Sequence, residues 1–131
     1  MDRLLSRRPR LAGALVIAAA IAGAAPAWAA DPGYGKSVFA AQCSMCHTAT
    51  RGGPTILGPN LFGVVGRKAG TLSGYAYSPG MKAAGFTWTD QQLHDYLPAP
   101  RAMVPGTKMG YGGLKNPAQL DDLVAYLDTM K

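Results

Sequence analysis

The amino-acid sequence predicts a small all-α domain in which short helices are joined by long, ordered loops. Apolar residues recur at helical spacing in separate segments, and no segment alternates polar and apolar residues for long enough to form a convincing strand. The 131 residues include 17 glycines and 10 prolines, which limits the amount of continuous helix. Something other than secondary structure must therefore fill the core of this domain.

The first 29 residues have the three parts of a secretory signal peptide. Arginines are concentrated in the first ten positions, an apolar run follows over 11–25, and Ala27-Trp28-Ala29 supplies the small residues of a cleavage site. The apolar run is shorter than the roughly 20 residues that cross a bilayer. We therefore predict a signal peptide over 1–29, one mature domain over 30–131, and a periplasmic location in a Gram-negative bacterium. An uncleaved membrane anchor is the alternative.

Removal of the signal peptide would lower the net charge of the protein. The full chain has a net charge of +6, but four of its 13 basic residues lie in the first ten positions. Nine basic and six acidic side chains remain after position 29, a net charge of +3. Because this excess is small, the mature domain is not expected to bind nucleic acid.

The first helix is predicted over residues 32–44. Asp31 is a favourable N-cap, and Pro32 fits the first helical position, where the missing N–H costs no hydrogen bond. The apolar positions that follow have helical spacing: Tyr34, Val38 and Phe39. A short helical turn is also predicted over 79–84, where Gly85 would end it.

Two more helices are predicted in the second half of the chain. Thr89 and Gln92 have the spacing of a capping box, and Pro98 ends the helix that they begin. The last helix begins at Asn116-Pro117 and is predicted to continue to the C-terminus. Its apolar stripe has the spacing i, i+3, i+4, i+7: Leu120, Leu123, Val124 and Leu127.

The intervals 48–77 and 98–115 are predicted as loops because both are rich in glycine and proline. Loops of this length are uncommon in a small domain unless something organises them. They therefore indicate a bound cofactor.

The only two cysteines of the chain lie close together and are followed directly by a histidine. Cys43, Cys46 and His47 form the pattern Cys-x-x-Cys-His, the attachment signature of a c-type haem. The two thiols can each add to one haem vinyl group, and the histidine then points at the iron. A disulfide here would close a very short loop, a thioredoxin-like dithiol would need a βαβ unit, and a zinc site would need four suitably spaced ligands.

Haem iron needs a ligand on its second face, and the methionines and one histidine are the candidates. Met109 lies in a glycine-flanked loop before the last helix, where the backbone could approach a porphyrin closely, and Met103 is the second choice. Met45 lies inside the attachment motif and Met130 near the end of the last helix. His94 is interpreted as a surface histidine. We therefore predict Met109 as the distal ligand.

The chain resembles class I cytochromes c and is close to the mitochondrial-like soluble cytochromes c of bacteria. The attachment motif, the predicted distal ligand and a series of further residues occur in the order found in that family. The resemblance extends from Gly35 to Lys131. Besides the attachment motif, the matching positions are Gly35, Phe39, Gly58-Pro59-Asn60-Leu61, Gly66-Arg67, Tyr75, Tyr77-Ser78, Trp88, Tyr96-Leu97, Pro105 to Met109, Asp122-Leu123 and Tyr126-Leu127.

The resemblance implies the small cytochrome c fold, with three main helices, short helical turns and long loops around one covalently bound haem. Gly35 and Phe39 on the first helix would cross Leu123 and Tyr126 on the last. A glycine at such a crossing lets two helices approach closely.

The resemblance also implies how the haem is attached and how its iron is bound. Cys43 and Cys46 would form the thioether bonds, and His47 and Met109 would be the two iron ligands. The carbonyl of Pro59 would accept a hydrogen bond from the other imidazole nitrogen of His47, which fixes the tautomer of the ring.

Five further positions would complete the haem pocket on the same basis. Arg67, Tyr77 and Trp88 would satisfy the haem propionates, because buried propionates need hydrogen-bond donors. Tyr96 and Thr107 would line the pocket near the distal ligand.

The predicted function is that of a soluble, periplasmic one-electron carrier and not that of an enzyme. It would shuttle electrons between a quinol-oxidising complex or dehydrogenase and a terminal acceptor. The expected partners are redox proteins: quinol–cytochrome c reductase, cytochrome oxidase, a photosynthetic reaction centre or a periplasmic dehydrogenase. The mature domain is expected to be a monomer without stable membrane insertion.

Two other functions remain as alternatives at this point. An uncleaved N-terminal segment would make the chain a haem subunit held to a membrane complex. An open distal face would make it a ligand-binding haem protein. Membrane retention distinguishes the first alternative, and the identity of the distal ligand distinguishes the second.

Overall fold

The structure is a computed structural model that describes residues 29–131, so the predicted signal peptide lies outside the described residues except for Ala29. Within 29–131 the chain forms five α-helices, one isolated antiparallel bridge between Lys68 and Thr87, and no strand. The predicted all-α class is therefore confirmed. No helix in this part of the chain combines the length and the apolar character needed to cross a membrane.

The five helices are numbered in chain order, and long loops connect most of them. They are α1 (Pro32–Gln42), α2 (Pro79–Ala83), α3 (Asp90–Tyr96), α4 (Pro100–Met103) and α5 (Pro117–Asp128). The prediction of a loop throughout 98–115 is wrong at α4. This helix is a single turn whose N-cap, Ala99, makes no side-chain hydrogen bond. A single turn is also too short to show an apolar period.

Two helices end earlier than predicted because local hydrogen bonds compete with the next helical turn. After α1, the N–H groups of Cys43 and Ser44 both donate to the carbonyl of Phe39. After α5, the Thr129 hydroxyl donates to the carbonyl of Tyr126 at 2.6 Å. The helix predicted to reach the C-terminus therefore stops at Asp128.

Side-chain caps explain why four of the helices begin where they do. A side-chain oxygen of each N-cap residue accepts a backbone hydrogen bond from the first turn: Asp31, Ser78, Thr89 and Asn116. At α3 only half of the predicted capping box forms. The Thr89 hydroxyl accepts from the N–H of Gln92 at 3.1 Å, but the Gln92 side chain donates to the sulfur of Met103 at 3.2 Å. Gln92 therefore links α3 to α4.

The two terminal helices cross at Gly35, as the resemblance implies. A Cβ atom at Gly35 would overlap the backbone oxygen of Asp122 and would lie 2.7 Å from the Cβ of Tyr126. Beside this contact, the rings of Phe39 and Tyr126 pack with their centroids 5.8 Å apart. The N–H of Asp31 also donates to the Asp122 carboxylate at 2.7 Å. The α1–α5 pair thus forms a rigid base for the loops.

We expect Gly35→Ala to lower the free energy of unfolding by about 2–4 kcal/mol, because the added methyl group overlaps backbone atoms that cannot rotate away. This loss outweighs the gain in helix propensity of roughly 1 kcal/mol. Guanidinium unfolding of the protein measures the difference. Gly112→Ala is the control, since a Cβ there meets no atom within 4 Å. Equal midpoints for the two variants would contradict the packing described.

Candidate functional site

A cavity of about 690 Å³ lies between the end of α1, the helices α2, α3 and α5, and the loops that join them. Its volume is within the range of about 300–1,000 Å³ that is usual for ligand and cofactor sites. The structure brings together all ten site residues that the sequence analysis names. They are Cys43, Cys46, His47, Pro59, Arg67, Tyr77, Trp88, Tyr96, Thr107 and Met109.

The two cysteines follow the end of α1 in a single tight turn. The N–H groups of Cys46 and His47 donate to the carbonyl of Cys43 at 3.0 and 2.9 Å. This turn brings the two thiols and the imidazole to the same part of the cavity wall. Both thiols are free and half-buried. Burial, with a smaller contribution from Cys46, raises the pKa of the Cys43 thiol to about 11. This cysteine is therefore a protonated thiol at neutral pH.

His47 is held in one orientation by its neighbours. Its Nδ1 lies 2.7 Å from the carbonyl oxygen of Pro59, and because a carbonyl only accepts, Nδ1 carries the proton. Burial lowers the pKa of the ring, and the bond to Pro59 opposes this only in part. A Cβ at Gly58 would overlap the imidazole ring, so glycine is required against this face. The result is a neutral imidazole whose Nε2 keeps its lone pair for a metal.

Met109 is surrounded by hydrogen-bond donors and acceptors that fix its position. The Tyr96 hydroxyl donates to the Met109 sulfur at 3.3 Å. The N–H of Met109 donates to the Thr107 hydroxyl oxygen at 3.2 Å. Burial raises the pKa of Tyr96, so that its hydroxyl remains a donor at neutral pH. These contacts form a small polar cluster beside a thioether.

Polar groups of three further residues lie on the cavity wall. The guanidinium of Arg67 donates to the carbonyls of Asn60 at 3.1 Å and Phe62 at 3.3 Å, and burial lowers its pKa. Burial also raises the pKa of the Tyr77 phenol, which the charge of Arg67 opposes. The Trp88 ring packs edge-on against Tyr96, with 4.8 Å between the ring centroids.

The candidates that the sequence analysis ranked lower lie elsewhere or make other contacts. Met103 is not among the residues that form the cavity wall, and its sulfur accepts a hydrogen bond from Gln92 at 3.2 Å. Met45 lies at the rim with 84% of its surface exposed. His94 is bonded through Nε2 to the carboxylate of Asp121 at 2.9 Å, as a surface histidine would be.

Several residues of the wall were not named as site residues by the sequence analysis. The apolar ones belong to helical stripes or buried loops, and a period-3.6 pattern alone could not show which side of a stripe faces a cofactor. They include Leu61, Val64, Leu93, Leu97 and Leu127. Met81, one of the methionines considered as distal ligand, also belongs to this wall. Polar residues were missed too, among them Gln42 and Tyr111, although Tyr111 lies only two positions after Met109.

The residues present fit a c-type haem. The cavity has the size of a cofactor site and a mainly apolar wall, and it offers two free thiols at the attachment spacing. The same wall provides an imidazole with its Nε2 lone pair free and a thioether sulfur. Imidazole nitrogen and thioether sulfur are the donor pair found in cytochromes c.

Comparisons with known proteins agree with this arrangement. A sequence model of the family described as "Cytochrome c" matches residues 33–131. The chain is 43% identical over 97 residues to cytochrome c of Ginkgo biloba, an alignment that covers 74% of this chain and 86% of the relative. It is 45% identical over 103 residues to cytochrome c of Chlamydomonas reinhardtii, covering 79% of this chain and 92% of the relative.

A bacterial relative is similar over a longer part of the chain. Cytochrome c2 of Blastochloris viridis is 42% identical over 115 residues, covering 88% of this chain and 87% of the relative. The chain therefore belongs to the cytochrome c family: it is a haem electron carrier and not an enzyme, and it holds haem c covalently through Cys43 and Cys46.

Proposed function

We propose that the protein is a soluble, periplasmic one-electron carrier whose haem iron is closed on both faces, by His47 on one and Met109 on the other. The observation that carries this proposal is that both side chains face one cavity and that each is held there by its own hydrogen bond. A closed iron has no free position for a substrate or a diatomic ligand. Electron transfer is then the remaining chemistry.

The residues on the His47 side supply a fixed nitrogen ligand. The Pro59 carbonyl holds the Nδ1 proton at 2.7 Å, so the ring keeps the tautomer in which Nε2 is free to bind metal. Gly58 leaves room for the ring to lie flat against the backbone. When bound, the haem supplies reversible one-electron exchange at its iron.

The residues on the Met109 side keep the sulfur in place. Tyr96 donates to the sulfur, and Leu93 and Leu97 of the same helical segment are buried and belong to the same cavity wall. A ligand held in this way occupies the same position in both oxidation states. The reorganisation that opposes electron transfer is therefore kept small.

Arg67, Tyr77 and Trp88 are proposed to bind the haem propionates. All three residues belong to the cavity wall, and their side chains carry a guanidinium, a phenol and an indole N–H. Two carboxylates in a half-buried site need such donors, because burying a charge without a partner is costly. The Arg67 guanidinium is itself oriented by the carbonyls of Asn60 and Phe62.

Residues 1–29 are proposed to be a signal peptide that is removed on export, which leaves 30–131 as a monomeric mature domain. The basic first ten residues, the apolar run and the Ala27-Trp28-Ala29 site support this proposal. The proposed partners are a quinol–cytochrome c reductase or a periplasmic dehydrogenase as donor, and a cytochrome oxidase or a photosynthetic reaction centre as acceptor. The likeness to a bacterial cytochrome c2 supports an exported carrier.

Absorption spectra of the purified protein test this function directly. We expect the ferric protein to show the weak far-red band of methionine bound to ferric iron, and the reduced protein not to bind carbon monoxide. A high-spin ferric spectrum together with rapid carbon monoxide binding would contradict the proposal and indicate an open-site haem protein.

In cell fractions we expect the protein in the periplasm with Ala30 at its N-terminus. Retention in the membrane with residue 1 intact would instead indicate an anchored haem subunit.

A further inference from the structure

One hydrogen bond connects the two sides of the cavity at positions far apart in sequence. The Tyr111 hydroxyl donates to the side-chain oxygen of Gln42 at 3.2 Å. Gln42 is the last residue of α1 and directly precedes Cys43, whereas Tyr111 lies two positions after Met109. Both residues belong to the cavity wall. The bond therefore joins the helix that carries the haem attachment to the loop that carries the methionine.

The loop around Tyr111 has few other attachments before Gly113, which packs closely against the backbone of Pro98. Three glycines flank the tyrosine, at 110, 112 and 113, and a Cβ at Gly110 or Gly112 would meet no atom within 4 Å. Among residues 29–131, no backbone N–H from 110 to 113 donates to a backbone carbonyl. Backbone pairing resumes at Leu114, whose N–H donates to the carbonyl of Leu97 at 2.9 Å. The side chain of Tyr111 is thus an important anchor of this stretch.

The two partners of the bond differ in how firmly they are held. Gln42 belongs to α1, which is fixed by its close contact with α5 at Gly35. On the loop, Lys108 makes a second contact, from its ammonium group to the carbonyl of Ala76 at 2.7 Å. Met109 therefore lies between two side-chain attachments, Lys108 to one side and Tyr111 to the other.

We propose that Tyr111 and Gln42 are positioning residues, whose hydrogen bond holds the 110–113 segment against α1 and so keeps Met109 on the iron. The inference rests on the proposed role of Met109 as distal ligand. Loss of the bond leaves α1 in place and frees the loop. An external ligand binds the iron only while Met109 has moved away, so a loop that opens more often lets the ligand bind faster.

The test measures how fast cyanide binds to the ferric, haem-loaded protein at saturating cyanide, where opening of the methionine loop sets the rate. Tyr111→Phe removes only the hydroxyl group, and Gln42→Leu replaces the amide that accepts from it with an apolar group of similar size. Each variant is expected to accelerate binding about three- to tenfold, the value of one neutral hydrogen bond. The double variant is expected to be no faster than either single one, because both changes remove the same bond.

Two control variants separate this role from a general effect on folding. Tyr34→Phe makes the same chemical change on the exposed side of α1, and it is expected to leave the rate unchanged. Gln42→Glu keeps an acceptor oxygen and is expected to remain near the wild-type rate. Guanidinium unfolding of every variant accompanies the kinetics. A faster rate with an unchanged unfolding midpoint supports a local role for the bond.

Four outcomes would overturn the inference. Rates that stay at the wild-type value in both single variants would show that the bond does not hold the loop. Effects that add in the double variant, or that follow the unfolding midpoint, would show two independent or merely structural roles. A wild-type ferric protein without the far-red band would overturn the proposed ligation by Met109, and this inference with it. If the wild type shows the band but the variants do not bind cyanide faster, the inference fails while the proposed ligation by Met109 stands.

Discussion

Replacing both Cys43 and Cys46 with alanine is expected to leave little folded protein. The cavity of about 690 Å³ takes up the centre of a domain of roughly one hundred residues, and its wall includes much of the core. Without the cofactor, the apolar side chains of this wall would lose their packing partners, and large voids in a core are strongly destabilising. Typical domains are stable by only about 5–15 kcal/mol, so such a loss is enough to unfold this one. Covalent attachment keeps the haem there permanently.

Far-ultraviolet circular dichroism and the haem content of the purified protein measure this effect. The variant is expected to have a largely unfolded spectrum and no covalent haem. Cys43→Ser with Cys46→Ser is the matched variant, because serine is close to cysteine in shape but lacks the reactive thiol, and it is expected to fail in the same way. Either single variant, which keeps one thioether, is expected to retain more structure. A cooperatively folding apo-domain in the double variant would contradict the dependence of the fold on haem.

The sequence predicts those helix boundaries that depend on contacts between residues close together in the chain. The starts of α1, α3 and α5 depend on a cap residue and its neighbours a few positions later, so that Asp31, Thr89 and Asn116 could be read from the sequence. The helix α4 lacks such a signal, since its N-cap Ala99 makes no side-chain bond. The ends of α1 and α5 depend on turns that the apolar pattern does not encode.

The candidate site shows the same division between motif and long-range contact. The spacing of Cys43, Cys46 and His47 indicates the cofactor by itself, and the loop position of Met109 indicates the distal ligand. The resemblance adds the other six residues, and all ten lie on one cavity wall. By contrast, the bond from Tyr111 to Gln42 joins positions 69 residues apart, and neither residue type is a signal for the other. Such a pairing follows only from the way the loop folds back over α1.

Met109→Ala is expected to open the distal face of the haem and to convert a carrier into a ligand-binding protein. The ferric far-red band should disappear, the iron should become high-spin, and the reduced protein should bind carbon monoxide readily. The reduction potential should fall by on the order of 0.1 V or more, since axial ligands set haem potentials over a range of about 0.8 V. Potentiometric titration and carbon monoxide binding measure these changes.

Two further variants show whether this effect belongs to the sulfur of Met109. Met103→Ala removes the second candidate, whose sulfur is bonded to Gln92 at 3.2 Å, and it is expected to leave the band unchanged. Loss of the band in Met103→Ala but not in Met109→Ala would reverse the assignment. Tyr96→Phe removes only the hydroxyl that donates to the Met109 sulfur at 3.3 Å, so the band should remain while the potential changes. We therefore propose that the hydroxyl tunes the ligand whereas the sulfur closes the iron, and that closure of the iron restricts this chain to electron transfer.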